Sequence, residues 1–149
     1  MTYTIETIAK SLADYLAATF PGVKFYEDPN QQGTEPPCLF LQQRYSNIRP
    51  QLGGFFMRTI GLDLVYLVDY NLPNLQQIYQ AAAENLDMVM ETFPYSDGTE
   101  SVRVRTYERK WDIDLTELHY QFELRVRVKP ADDSVKMQRI ENYTERVTE

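Results

Sequence analysis

The fold is decided by a stretch of strict alternation at residues 118–128, which read LHYQFELRVRV. Every second residue of this stretch is apolar, and the residues between them are polar or charged. Successive side chains of a strand point to opposite faces of a sheet, so the pattern predicts a half-buried strand over 117–129. It is the most regular strand pattern in the chain.

The residues just upstream show the same alternation in the opposite phase. Trp111 and Ile113 are apolar at odd positions, whereas the apolar residues of the following strand are even. A change of phase marks a turn or a bulge, which we place near 116–117. A second strand is predicted over 101–110, where valines alternate with arginines.

The rest of the chain supplies two helices and three more strands. Apolar residues recur every three or four positions in the two helical segments, and the strand segments are rich in apolar and β-branched residues between turn signals. The predicted helices are 4–19 and 74–92, and the predicted strands are 23–27, 38–45 and 55–68. The order α-β-β-β-α-β-β predicts the α+β class, with a mixed or antiparallel sheet of about five strands packed against two helices.

The chain of 149 residues fits one domain. We assign 1–130 to that domain and 131–149 to a C-terminal arm or short helix. The segment 28–37 is polar with three prolines, which predicts a loop. The strand at 55–68 would span about 45 Å at about 3.3 Å per residue. Such a strand either overhangs its own core and is shared with a neighbour, or is broken by a bulge at Gly61.

The composition excludes several classes of protein. Cys38 is the only cysteine and His119 the only histidine, so no intrachain disulfide and no multi-histidine or multi-cysteine metal site can form. A reducing cytoplasm is the simplest setting for such a chain. The N-terminus lacks the apolar region of a signal peptide, and no apolar run reaches the length of a membrane span.

The sequence contains no recognisable catalytic motif. It has no G-x-G-x-x-G, no P-loop and no G-x-S-x-G. A Cys38–His119 nucleophile pair is conceivable, but Cys38 lies in an apolar strand, where a cysteine behaves as a small buried hydrophobe. We therefore expect a protein that is not an enzyme, that needs no metal or cofactor, and that acts through its surfaces.

The charge is unevenly distributed along the chain. The formal net charge is −7, and the whole excess lies in residues 1–100, which carry 5 basic and 12 acidic groups against 10 of each in 101–149. The negative total argues against a general nucleic-acid binder. An acidic part and an arginine-bearing part also allow copies of the chain to dock head to tail, although small domains often show such unevenness by chance.

Arginine gives the sharpest local signal. If the strands at 101–110 and 117–129 pair antiparallel, their basic side chains fall on one exposed face. Three readings stay open: docking on a carboxylate-rich surface of another subunit, a phosphate track, or a solvated face with local ion pairs to Glu123. The candidate interface residues are the basic set and two phenylalanines that follow the Gly53-Gly54 turn: Arg103, Arg105, Arg125, Arg127, Lys129, Phe55 and Phe56.

The sequence resembles a known family. The run from Leu16 to Phe40 is similar to the N-terminal half of tail terminator proteins of long-tailed bacteriophages and related tail-like particles, mostly of Gram-positive hosts. The similarity rests on Phe20-Pro21, Phe25-Tyr26-Glu27-Asp28, Gln31-Gln32-Gly33 and Pro36-Pro37-Cys38-Leu39-Phe40. Tyr107-Glu108 and Leu118-His119-Tyr120 resemble the closing hairpin of the family. The resemblance covers roughly residues 5–129.

The resemblance implies a structural virion protein that forms a hexameric ring, caps the tail tube at full length and later joins tail to head. The implied partners are its own copies, the tail tube protein, a sheath protein as a further candidate, and a head–tail connector protein, with DNA only as cargo and no membrane. The implied location is the virion tail, assembled in the cytoplasm of the bacterial host. The alternatives are another head–tail connector or tail completion protein, and a small nucleic-acid-binding module.

Overall fold

The computed structural model describes residues 1–26 and 35–129. Six strands form one mixed sheet with the order β1-β2-β3-β6-β5-β4, in which only β1 and β2 run parallel. The α+β class is confirmed, with six strands in place of about five. The elements are α1 (Ile5–Leu16), β1 (Lys24–Tyr26), β2 (Cys38–Pro50), β3 (Phe56–Leu67), α2 (Leu75–Val89), β4 (Thr92–Ser96), β5 (Ser101–Asp114) and β6 (Glu117–Val128).

The alternating stretch forms β6, and its phase change is the predicted hairpin. Asp114 pairs with Glu117, and the two residues between them make the turn to β5. A second irregularity, a bulge in β5 between Tyr107 and Lys110, was not predicted; Glu108 takes a positive φ of 52° there. Because of this bulge, the inward side of β5 is even before it and odd after it.

Both helices cover the same face of the sheet. The even side chains of β6 are buried and share one core with Leu12 of α1 and Leu86 of α2. Thr4 caps α1 by accepting a hydrogen bond from the amide of Thr7 at 3.1 Å. We call the opposite side of the sheet, which carries neither helix, the outer face.

The long hairpin of β2 and β3 extends beyond the core. β3 is unbroken, and the bulge lies in β2 between Gln43 and Tyr45 rather than at Gly61. β2 continues to Pro50, five residues past its predicted end, and its residues 42–50 are all exposed. An overhanging hairpin is therefore present in the structure.

The strand that the sequence pattern missed is β4. The predicted helix extends to residue 92, whereas α2 ends at Val89 and Phe93 belongs to β4. Phe93 and Tyr95 are buried, with Pro94 exposed between them. The predicted loop at 28–37 lies largely, and the predicted arm at 131–149 entirely, outside the described residues.

Candidate assembly surface

The arginines of β5 and β6 lie on the outer face, as the alternation predicts. Val104 and Thr106 are buried, so Arg103, Arg105 and Tyr107 point to the other side of the strand. Tyr107 in turn pairs with Glu123 of β6. The outer face is continuous where Tyr107 pairs with Glu123, but the two basic segments do not pair with each other, because 101–105 pairs with β4 and 125–128 pairs with β3 alone.

Arg125 is already held by neighbouring groups. Its guanidinium lies 3.2 Å from the carboxylate of Glu123 and 3.6 Å from that of Glu108, and it sits 4.4 Å above the ring of Tyr107. The bulge in β5 is what brings Glu108 to this place. A guanidinium with two carboxylates and an aromatic ring is locally compensated, so Arg125 offers little free charge to a partner.

Arg105 is compensated in a weaker way. It forms an ion pair of 3.1 Å with Glu91, and both side chains are more than half exposed. Solvent screens such a pair, which contributes about 0–1 kcal/mol to stability. Arg105 therefore carries a charge that is paired in the isolated chain but can exchange its partner at low cost.

The remaining basic residues have no acidic partner in the described part of the chain. Arg103 donates a hydrogen bond of 2.7 Å to the hydroxyl of Thr92. Arg127 sits 5.6 Å above the ring of Phe55, and Lys129 is exposed just after the end of β6. Within residues 1–26 and 35–129 these three are the uncompensated cations of the candidate set.

The two phenylalanines do not form one patch. Phe55 lies under Arg127 on the outer face. Phe56 pairs with Pro50 on one side and Val128 on the other, and it has the parity of the core-facing residues of β3. Both are half-buried. Phe55 therefore lies beside Arg127 and Phe56 on the core-facing side of β3, and an interface role for either residue stays a prediction.

Many acidic groups of the first hundred residues are engaged inside the domain. Glu91 pairs with Arg105, and Glu100 lies 2.9 Å from the amino group of Met1. Asp87 accepts hydrogen bonds from Tyr120 at 2.7 Å and from Trp111. Two exposed carboxylates of α1 remain without an ion-pair partner among the described residues, Glu6 and Asp14.

Asp97 is a structural carboxylate. It accepts hydrogen bonds from the amides of Thr99, Glu100 and Thr2 at 2.8–2.9 Å. These amides stabilise the charged form and hold the pKa of Asp97 well below its usual value. Asp97 thus ties the N-terminus to the loop between β4 and β5.

The only histidine lies in a buried network rather than beside Cys38. His119 contacts Asp63 through Nδ1 at 2.7 Å and Glu117 through Nε2 at 2.9 Å. Burial lowers the pKa of His119, but the two carboxylates outweigh it, and the net shift is upward. Burial raises the pKa of Asp63, which is only 5% exposed. This network joins β3 to β6.

The sequence interpretation missed the groups that decide which arginines are free. Glu91 and Glu108 lie 14 and 17 residues from their partners in the sequence, and the bulge that places Glu108 leaves no clear pattern. Only Glu123 was detectable, because it lies two residues from Arg125 on the same face of β6.

Metal and membrane sites are not evident in the described residues. No group of three or more histidine, cysteine, aspartate or glutamate side chains there is placed to hold a metal ion. Among the same residues, neither helix is long and apolar enough to cross a membrane. The Cys38 thiol is free and buried, and burial raises its pKa.

The fold and its surface define an α+β domain with arginines on its outer face and a long exposed edge in β2. A family model described as phage tail terminator protein matches residues 7–136. Because the match spans most of the chain, the chain belongs to the phage tail terminator family, and its role is that of a structural component of phage tails. A search of curated proteins finds no match.

Proposed function

We propose that this protein caps the tail tube as a ring of its own copies, which ends tube polymerisation and offers the surface on which the head joins. The family match over residues 7–136 carries the proposal. The partners are the tube protein on one side and a head–tail connector on the other, with a sheath protein as a further candidate and DNA passing through the ring.

The distribution of charge supports a head-to-tail contact between copies. A ring needs two different patches on each subunit. Arg103, Arg127 and Lys129 supply uncompensated cations on or beside the outer face, and Glu6 and Asp14 supply free carboxylates on α1. Patches of opposite sign steer association and suppress wrong pairings. We assign the first set to one side of the contact and the second set to the other.

The compensated arginines provide a matched control for this assignment. Arg103→Gln with Arg127→Gln removes two unpaired charges, whereas Arg105→Gln with Arg125→Gln removes two charges already paired with glutamates. Each lost interface charge costs up to about 1 kcal/mol per subunit, so the first double variant should bind tube ends more weakly, by up to about thirtyfold.

The readout is co-sedimentation with polymerised tubes, together with native mass spectrometry of any rings. Both variants should unfold at a similar denaturant concentration, because all four arginines are surface residues. Equal binding by the two double variants would show that Arg103 and Arg127 do not take part in the contact. A DNA mobility shift that depends on Arg103 and Arg127 would instead favour nucleic acid as their partner.

A further inference from the structure

The edge strand β2 leaves a row of backbone groups open. β1 pairs only with Cys38–Phe40, so the rest of β2 has a strand neighbour on one side alone within the described chain. Residues 42–50 are all exposed, and Ile48 is 57% exposed. An uncovered edge of this length is a template for another strand, and natural proteins usually blunt, cover or pair such an edge.

The direction of the open groups follows from the ladder. The amide of Gln51 donates to the carbonyl of Phe55 at 2.7 Å, so Gln51 faces β3. Facing alternates along an antiparallel strand, and the register from Gln51 back to Tyr45 has no break. The backbone groups of Ser46 and Ile48 therefore point to the open edge. Pro50 has the same phase, where the missing N–H costs no ladder bond.

The opposite edge of the sheet is interrupted along β4. In β4, Pro94 has no N–H to donate. The amide and carbonyl of Ser96 are both bonded to the hydroxyl of Ser11, at 3.2 and 3.3 Å. The amide of Thr106 in β5 donates to the carbonyl of Glu91 at 3.0 Å. An edge-to-edge pairing of β2 with β4 of another copy would therefore form few ladder bonds.

The symmetry of a ring limits which segment can pair with the open edge of β2. Pairing of β2 with β2 of a second copy is self-complementary and closes a dimer, which does not propagate around a ring. A ring that uses this edge must fill it with a different segment of the neighbouring copy. Residues 131–149 follow β6 and carry five acidic and three basic groups, whereas residues 42–50 carry two arginines and no acid.

The same segment is long enough to reach a neighbour. Nineteen residues span up to about 60 Å at about 3.3 Å per residue, against a width of about 40 Å for a domain of this size. The bulge at one end of Tyr45–Pro50 and the proline at the other limit the pairing length, and the stretch Tyr45–Ile48 between Arg44 and Arg49 is uncharged. The bulge, the proline and the flanking arginines favour the addition of one short strand over unlimited edge-to-edge pairing of strands.

We propose that residues 131–149 of one copy add as a strand to the β2 edge at Tyr45–Pro50 of the next copy, a contact we call the seam. The inference rests on the proposed ring and goes beyond it, because it identifies the segments in contact and assigns a role to the segment after β6. Backbone hydrogen bonds supply the affinity, and Arg44 and Arg49 select the acidic segment. The family match ends at residue 136, so most of this segment lies beyond it.

Cross-linking in the full chain tests the seam. One preparation carries Ile48→Cys and another carries Ile140→Cys; Cys38 stays in place because it is buried. Mixed and oxidised at high concentration, they should give a disulfide-linked pair of the two different chains, at least tenfold above a control that pairs Ile140→Cys with Ser96→Cys, where both backbone groups of β4 are bonded to Ser11. A pair formed by Ile48→Cys alone, a link within one chain carrying both changes, or no link above the control would overturn the proposal.

A backbone variant gives a second reading. Ile48→Pro removes an amide from the open edge without removing a bond to β3, and Ile48→Thr changes the side chain but keeps the amide. Ile48→Pro should lower ring formation at tube ends at least tenfold, and Ile48→Thr should stay within about twofold of the native chain. Equal effects would overturn the seam. If rings form at tube ends but the cross-link does not, this inference is wrong and the proposed function stands. If the cross-link forms but tubes are not capped, only the proposed function is wrong.

Discussion

Gly61 is the position where a one-carbon change tests the architecture of the outer face most sharply. Tyr45 of β2 pairs with Gly61 of β3, which pairs with Glu123 of β6. The Tyr45 ring crosses Gly61, and its hydroxyl donates to Glu123, whose other oxygen accepts from Arg125. A Cβ at Gly61 would lie 2.3 Å from the ring, so Gly61→Ala must displace Tyr45.

Whether Gly61→Ala stabilises or destabilises the protein depends on the Tyr45 ring. Gly61 has no positive φ, so alanine in its place should otherwise stabilise the strand by about 0.5–1 kcal/mol. Displacing Tyr45 costs its hydrogen bond to a charged group, about 1.5–3 kcal/mol. Gly61→Ala should therefore lower the free energy of unfolding by about 1–2 kcal/mol. In a Tyr45→Ala background the same change should raise it by about 0.5–1 kcal/mol.

Urea denaturation of the four proteins of this cycle, followed by the fluorescence of Trp111, gives the coupling energy between the two sites. A coupling of about 1.5–3 kcal/mol is expected. A neutral or stabilising Gly61→Ala in the native background would mean that Tyr45 does not cross the strand. The arrangement that fixes Glu123 beside Arg125 would then be refuted.

Two further predictions concern the buried polar groups. Tyr79→Phe should lower the free energy of unfolding by about 1.5–3 kcal/mol, because the Tyr79 hydroxyl accepts from the buried Val68 amide at 3.1 Å and donates to the Thr116 carbonyl at 2.6 Å. The control is Tyr66→Phe, since the Tyr66 hydroxyl has no partner among the described residues. It should change the free energy of unfolding by less than about 0.5 kcal/mol in the same urea titration. The raised pKa of His119 means that its stabilising charge is fully present below about pH 6.5 and is lost as pH rises through the folded pKa. Thermal unfolding between pH 6 and 8 should show stability falling by at most about 1.4 kcal/mol per pH unit, and a slope that survives in His119→Gln would contradict this.

The sequence predicted the elements whose pattern reflects a single covered face. The alternation of 118–128 predicts β6 and its hairpin because one face of that strand is buried and the other is wet. β4 left no such pattern, since it is five residues long, contains Pro94 and follows a helix whose apolar spacing includes Phe93. The end of β2 was also missed, because residues 42–50 are exposed on both faces and show no periodicity.

The alternation of arginine with valine predicts that Arg103, Arg105, Arg125 and Arg127 lie on the side of their strands away from the core, as they do. It does not predict which of their charges are neutralised. Which of them are neutralised depends on Glu91 and Glu108, whose positions are set by tertiary contacts. The open β2 edge is likewise a property of strand order, since it exists only because β1 is three residues long.

Electron microscopy of tube ends tests the central claim most directly. Purified tube protein is polymerised alone and with increasing amounts of the native chain, with the Arg103→Gln and Arg127→Gln double variant as the weakened control. Ring-shaped density at one end of each tube, and tubes that stop growing in proportion to the chain added, are the expected result. Bare ends and unchanged tube lengths at saturating concentration of the native chain would contradict the assignment of a capping function.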